Sequence, residues 1–478
     1  MDQNLRKNEL YEFRHENDRL VLCVPNGQIF KIDRMTGDVL DLFEDTTPTE
    51  IPGKLSDRYD DNEIKHLLDQ MEQVGLLIRS DAPDIASDLD IPTDITDMAL
   101  FLTDFCNLRC TYCYEAGKCQ RDERKHMDRE TAEKAVDFMI RESGESRNCT
   151  IQFFGGEPLL NFRLLKHVVR YCRDKEETAN KKFGFTIDTN GTLLNDEIVD
   201  FCCAENIGVG VSLDGTKDVN DTARIFPDGS GSYDTVVKQS ARLLERMPET
   251  TGARATLTKD NYRFRDTLNH LVELGFRRVL IDCDGGSNGT WSDDEIIILK
   301  EEFEKAADYF IKLLRQDDFL SFGNIVSLLP LISNRKRKRY HCGAGIWYVA
   351  VTPDGTIYPC HRLTSHPQFA MGNVMQSVSW DLREEILSHP VETKDSCQEC
   401  WARYLCGGGC FYRGFVATRD PFQPDPAWCE LTRHVLTLAM CAYHEFTKRR
   451  AGVQHHNNAA QGEPAAATTK ENRAGGEL

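Results

Sequence analysis

Apolar positions along the chain change their period as it proceeds. The runs ELYEFRHENDRLVLCV (9–24) and GQIFKID (27–33) read as strands, with Asn26-Gly27 as a turn between them. From Asp61 to Ile78, DNEIKHLLDQMEQVGLLI places apolar residues at helical spacing and ends near Gly75. Together these predict a small α+β module over residues 1–93, followed by the Asp- and Pro-rich linker DAPDIASDLDIPTDITD (81–97). Strand-like and helical runs then alternate over residues 94–310. The strand candidates are MALFLTDF, TIQFFGG, FGFTIDTNG, IGVGVSLDG, ARATLTKD and RRVLIDCD, with helices such as RETAEKAVDFMIRES and FRLLKHVVRYCRDK between them. Alternation of this kind predicts βαβ units and a parallel sheet. Six or so repeats without a GxGxxG favour a barrel over a dinucleotide-binding fold. Residues 311–445 carry few long periodic elements, so bound metal would supply much of their cohesion. The segment 446–478, which ends in the polar, Ala/Gly-rich AGVQHHNNAAQGEPAAATTKENRAGGEL (451–478), is expected to be disordered.

At 478 residues the chain is long enough for two or three domains with cores of their own. The N-terminal residues lack an apolar signal region, and no run of about 18 apolar residues occurs. A cytoplasmic protein without a membrane span is therefore expected. The net charge of −19 argues against a broad nucleic-acid surface. One local exception is Arg335-Lys336-Arg337-Lys338-Arg339, which reads as a solvated loop or as a contact for an acidic substrate segment. Eighteen cysteines change the picture more. A secreted disulfide protein would be short, whereas clustered cysteines in a reducing compartment point to metal.

Cys106, Cys110 and Cys113 follow directly on the first strand of the repeat. Thiolates at this spacing can wrap one [4Fe–4S] cluster and ligate three of its irons, leaving the fourth open. A structural zinc site would need a fourth ligand, for which Cys119 and His126 are nominal candidates. The run CNLRCTYCYE, with Tyr112 before the third cysteine, resembles the cluster motif of radical S-adenosylmethionine (SAM) enzymes. That resemblance implies a partial (β/α)6 barrel whose open iron chelates SAM and whose reduced cluster cleaves it to a 5′-deoxyadenosyl radical. Further matches fall in order along the chain. Gly155-Gly156-Glu157-Pro158 ends the second strand, and the resemblance assigns its backbone and carboxylate to the methionine amino group. Thr189-Asn190-Gly191 and Ser212-Leu213-Asp214-Gly215 end the third and fourth strands, where ligands collect in parallel α/β folds. By resemblance Asn190, Ser212 and Arg224 join the SAM site. Asp214 reads equally as a turn cap.

The C-terminal third holds Cys342-x12-Gly355-x4-Cys360, then Cys397-x2-Cys400-x5-Cys406-x3-Cys410, then Cys429. This pattern resembles the seven-cysteine SPASM domain appended to radical SAM peptide-modifying enzymes. The resemblance implies two auxiliary [4Fe–4S] clusters, for three in all. Cys397, Cys400, Cys406 and Cys429 would hold the distal one, and Cys342, Cys360 and Cys410 the nearer. The stretch RKRKRYH before Cys342 lacks the cysteine that would complete the nearer cluster, so an open iron suited to a substrate thiolate is expected. Anaerobic sulfatase maturases place an aspartate base after the position of Cys360; here it is His361, a candidate base in its stead. The remaining eight cysteines have no cluster spacing and read mostly as apolar fillers.

Residues 1–93 resemble PqqD-like, winged-helix modules that bind the leader of a ribosomal peptide as an added strand. The chain as a whole thus reads as an enzyme that modifies a precursor peptide. A thioether cross-link from Cys is the favoured product, with reducing electrons from a flavodoxin or ferredoxin-type donor. C–C cross-linking and formylglycine formation on a sulfatase share every one of these motifs. A zinc-stabilised binding protein without catalysis is the reading from a different class.

Overall fold

The computed structural model describes residues 5–43, 45–80, 91–115, 124–285 and 289–460. Its centre is one ten-stranded sheet. Strands β6 (Asp97–Phe101), β7 (Asn148–Phe154), β8 (Lys182–Thr189), β9 (Gly208–Ser212), β10 (Thr251–Leu257) and β11 (Arg278–Cys283) pair in parallel and in sequence order. These are the six strands expected from the alternating runs, and the helices between them pack outside. The strands alternate buried positions with less buried ones, so one face meets the helices and the other lines a lumen. The sheet does not close. At one end β12 (Ser321–Phe322) extends it beyond β11. At the other end β13 (Tyr348–Val351) joins β6 in parallel, and β14 (Thr356–Tyr358) and β15 (Gly372–Asn373) follow antiparallel. The result is the partial barrel that the repeats predicted.

Two domain boundaries read from the sequence fall elsewhere. Helix Asp293–Arg315 runs through position 310, because its apolar spacing continues to Leu313. The barrel sheet also continues into the cysteine-rich region through β13, so protein packing holds that region to the barrel. The helix Pro426–Ala460 crosses position 446, where disorder was expected to begin. Its first half buries Leu431, Leu436, Ala439, Met440 and Ala442 at helical spacing against the main core. Residues 461–478 and part of the 81–97 linker lie outside the described residues.

In the N-terminal module, β2 (Leu10–His15), β3 (Asp18–Cys23) and β4 (Gln28–Ile32) form an antiparallel sheet, and β1 (Leu5–Lys7) pairs with β5 (Leu77–Arg79). The run read as one strand over 9–24 is thus a hairpin, turned at Glu16 with φ of 51°. Helices Arg34–Leu42, Ile51–Leu55 and Asp61–Gln73 cover one face around Val21, Ile32, Leu40, Ile64 and Leu68. The other face, with Phe13, Leu20 and Leu22, belongs to the main core. No described helix is long and apolar enough to cross a membrane.

Candidate functional site

The loops that end β6 and β7 are zipped together by backbone hydrogen bonds. Gly156 N donates to Thr103 O at 2.9 Å and Glu157 N to Phe105 O at 2.8 Å. A Cβ on Gly155 or Gly156 would stand 2.3 Å from Thr103 O or Phe105 O respectively, so the approach needs glycine at both positions. This zipper fixes the loop that carries Cys106, Cys110 and Cys113. All three line a cavity of about 190 Å³ at the strand C-termini, together with Gly155, Gly156, Asn190, Ser212 and Arg224. Six of the sequence-predicted residues and two glycines are thereby brought to one place.

The thiols fit a cluster better than a single closed ion. Leu108 N reaches Cys106 Sγ at 3.4 Å, and Asn190 Nδ2 reaches the same sulfur at 3.9 Å. Burial pushes the free thiols of Cys106 and Cys113 up to about 12 and about 11, so metal must displace protons to bind. Among the described residues the only trio of His, Cys, Asp or Glu with donor atoms within 4.8 Å of one another is His15, Glu16 and Glu445. A zinc ion with four thiolates would draw sulfurs to about 3.8 Å apart. The cysteine sets are spread wider and the first opens into a cavity. His126 stacks on Phe105 with ring centroids 4.7 Å apart, and Cys119 lies outside the described residues.

Arg224 reaches Cys110 Sγ at 4.0 Å and is held by Asp214, whose Oδ2 accepts from Arg224 Nε at 2.9 Å and from Tyr112 at 2.6 Å. Burial opposes its charge, yet Asp214 and its other neighbours hold the guanidinium above its ordinary value. Asp214 is therefore a positioning residue and more than a turn cap. Glu157 sits behind the cavity and is 1% exposed. Its carboxylate accepts from Leu159 N, Thr189 Oγ1 and Asn190 N, and so ties the end of β7 to the end of β8. Burial raises it to about 7 despite those donors. A methionine amino group was expected on this carboxylate, whose oxygens are instead turned to the protein.

The seven C-terminal cysteines sort into two sets. Cys360 feels the charge of Cys342 and Cys410, while Cys429 feels Cys406, Cys397 and Cys400. Burial is the larger cause in both, pushing each thiol to about 12. Cys410 caps helix Phe411–Thr418, and Cys429 lies in the first turn of helix Pro426–Ala460. Arg362 N donates to Cys360 Sγ at 3.5 Å, and Arg433 Nη1 lies 4.0 Å from Cys400 Sγ. Donors of this kind stabilise sulfurs that ligate iron. Cys283 is buried in the main core, as a filler would be, and also borders the cavity.

The lumen brings in residues that sequence reasoning missed. Asp188, Arg254, Asp282, Tyr114 and Arg362 all line the same cavity, as does His361. For Asp188, Arg254 and Asp282 the signal was the alternation of polar residues along β8, β10 and β11. Gln152 and Arg254 both donate to Asp188 Oδ2, at 2.6 and 2.5 Å. His361 Nδ1 meets Tyr348 Oη at 2.7 Å. Burial, reinforced by Arg362 and Arg254, lowers His361 to about 3. The imidazole is therefore neutral at pH 7, with Nδ1 engaged by Tyr348.

Residues 100–271 match the model of the Radical SAM superfamily. This stretch is a radical SAM domain. The chain is an enzyme that carries this domain, and members of the superfamily use a [4Fe–4S] cluster and SAM. Among relatives, the chain is 32% identical over 186 residues to an uncharacterized protein of Methanocaldococcus jannaschii, covering 39% of this chain and 61% of that one. It is 25% identical to a cysteine-type anaerobic sulfatase-maturating enzyme of Clostridium novyi, over 64% of this chain and 84% of the relative. It is 24% identical to the radical SAM cyclopropyl synthase TigE of Paramaledivibacter caminithermalis, over 81% and 84%. In fold it is similar to Streptococcus suis SuiB bound to precursor peptide SuiA, with a TM-score of 0.52, 16% identity, and coverage of 89% of this chain and 100% of that one.

Proposed function

We propose that this radical SAM enzyme matures a ribosomally made peptide by cross-linking a cysteine sulfur to a carbon of the same peptide. A reduced cluster bound in the cavity would supply the electron that turns SAM into a radical able to take one substrate hydrogen atom, and the second electron of C–S bond formation would leave through an auxiliary cluster as the thiol proton leaves to solvent. Cys106, Cys110 and Cys113 would hold the cluster that meets SAM. Gly155, Gly156, Asn190, Ser212 and Arg224 would line the cofactor's place, and Glu157 and Asp214 would keep the loops and the guanidinium in position. The observation that carries the reading is the sorting of the seven C-terminal cysteines into a set of three and a set of four. Four thiols close a cluster; Cys342, Cys360 and Cys410 alone leave one corner free for a ligand from outside the chain. That corner favours thioether chemistry over formylglycine formation.

The N-terminal module supports a peptide substrate. Among the described residues β4 pairs only with β3, so its outer edge can take an added strand from a leader. Relatives that span more than four-fifths of this chain include TigE, and the SuiB fold, seen with a precursor peptide, spans more still. A flavodoxin or ferredoxin-type protein would supply the electron.

Anaerobic reconstitution tests the cluster count: about twelve irons per chain are expected, falling by about four in Cys342→Ala and again in Cys397→Ala. Co-expression with a Cys-bearing precursor encoded nearby, followed by mass spectrometry, tests the reaction. Loss of two hydrogens per cross-link supports it, and a precursor left unchanged in mass with SAM and reductant rejects that substrate.

A further inference from the structure

The lumen wall formed by β8, β10, β11 and the turn after Cys360 offers more cationic donors than its own carboxylates use. Arg254 is committed through Nη1 to Asp188, while its Nη2 stands 3.8 Å from Asp282 Oδ2. Arg362 Nη2 stands 3.9 Å from that same oxygen. Neither contact is a hydrogen bond. The Arg362 guanidinium rests against the rings of Tyr114 and Tyr412, at 5.7 and 5.9 Å from their centroids. It also lies over Gly285, where a Cβ would fall 2.4 Å from Nη1. Packing fixes its place, yet among the described residues its guanidinium makes no hydrogen bond. Close by, the buried hydroxyl of Tyr114 has no hydrogen-bond partner among the described residues. Asp282 keeps 44% of its side chain exposed, so it is a loose counter-ion and not a buried clamp.

A guanidinium is a rigid fork matched to a carboxylate, and that of Arg362, whose side chain keeps 25% of its surface exposed, presents its donors at the cavity. We propose that Arg362, with Arg254 beside it, receives a carboxylate of the peptide substrate, either an Asp or Glu side chain or the chain's C-terminus. The proposal rests on the peptide reading above. It commits Arg362 to positioning the residue to be modified in the cavity that Cys106, Cys110, Cys113 and Ser212 also line.

Saturation-transfer NMR on the full chain, reconstituted with iron, sulfide and SAM, tests this with three probes. N-acetyl-glutamate N-methylamide presents a side-chain acid, N-acetyl-alanine a terminal one, and N-acetyl-glutamine N-methylamide neither. One of the two acids should receive about tenfold more transfer than the glutamine probe, and which one identifies the source of the carboxylate. Arg362→Gln should abolish the preference, and Arg362→Lys should restore part of it by charge without the fork. Equal transfer to acid and amide overturns the proposal, as does an Arg362→Gln protein that still prefers acid. Should Arg362→Gln fail to fold, the comparison in the unmutated chain decides by itself. Failure of the peptide reading looks different: the acid preference is present, yet no peptide is converted.

Discussion

A guanidinium 4.0 Å from the Cys110 sulfur is useful only if something keeps it there, and for Arg224 that is Asp214. Asp214→Asn removes the countercharge and leaves a buried cation, which costs about 3–5 kcal/mol. Anaerobic urea denaturation should read that loss; a variant as stable as the parent contradicts the clamp. Glu157 carries a pH dependence of unusual sign. Its folded value of about 7 exceeds the ordinary 4.5, so the native state holds the proton longer than the unfolded chain. Its contribution is most favourable below about pH 4.5 and falls by about 3 kcal/mol as pH rises through 7. In SAM-free protein, Glu157→Gln should flatten this fall between pH 5 and 8, and equal slopes in the two proteins contradict it. The ten cysteines expected to hold clusters could be picked out because their spacing is local. The clamp made by Asp214 could not, since one of its partners, Tyr112, stands 102 residues away.

At the scale of elements, the zipper between the β6 and β7 ends couples the SAM loop to the sheet. Gly156→Ala must push Phe105 O away, because its Cβ would start 2.3 Å from that oxygen. The expected outcome is loss of about one third of the iron, with the two auxiliary sets still loaded. Unchanged iron with unchanged deoxyadenosine release would show that the loop tolerates the shift. The six barrel strands could be read from their alternation with helices. The lumen network was within reach too: Gln152, Asp188, Arg254 and Asp282 occupy the less buried positions of their strands. The helix Pro426–Ala460 was missed because cysteine spacing dominated the reading of that region. Its apolar series Leu431, Leu436, Ala439, Met440 carries an ordinary helical period.

At the scale of the molecule, the N-terminal module is fastened to the auxiliary region. Tyr11 stacks on Trp401 with ring centroids 3.7 Å apart, and its hydroxyl meets Thr437 at 3.0 Å. Arg403 grips Glu9 with both terminal nitrogens, and Arg315 bridges Glu16 and Glu445. Asp18 takes Lys31 at 2.7 Å, Lys448 at 2.7 Å and His444 at 2.8 Å, which together hold its carboxyl well below the usual range. A depressed carboxylate stabilises the fold above its unfolded value near 3.8 and loses that effect as pH falls toward its folded value. Asp18→Asn should therefore quicken hydrogen exchange in β2 and β3 at neutral pH, with the difference from the parent shrinking only once pH falls below about 3.8; exchange equal to the parent at neutral pH counts against the fastening. Such a mount would place a captured leader in fixed relation to the cavity. The central claim is that three thiols face an open cavity where SAM meets their cluster. Electron paramagnetic resonance of the reduced Cys342→Ala/Cys397→Ala protein, with and without SAM, tests it most directly. A shifted signal on adding SAM is predicted, and a spectrum identical in both states contradicts the account.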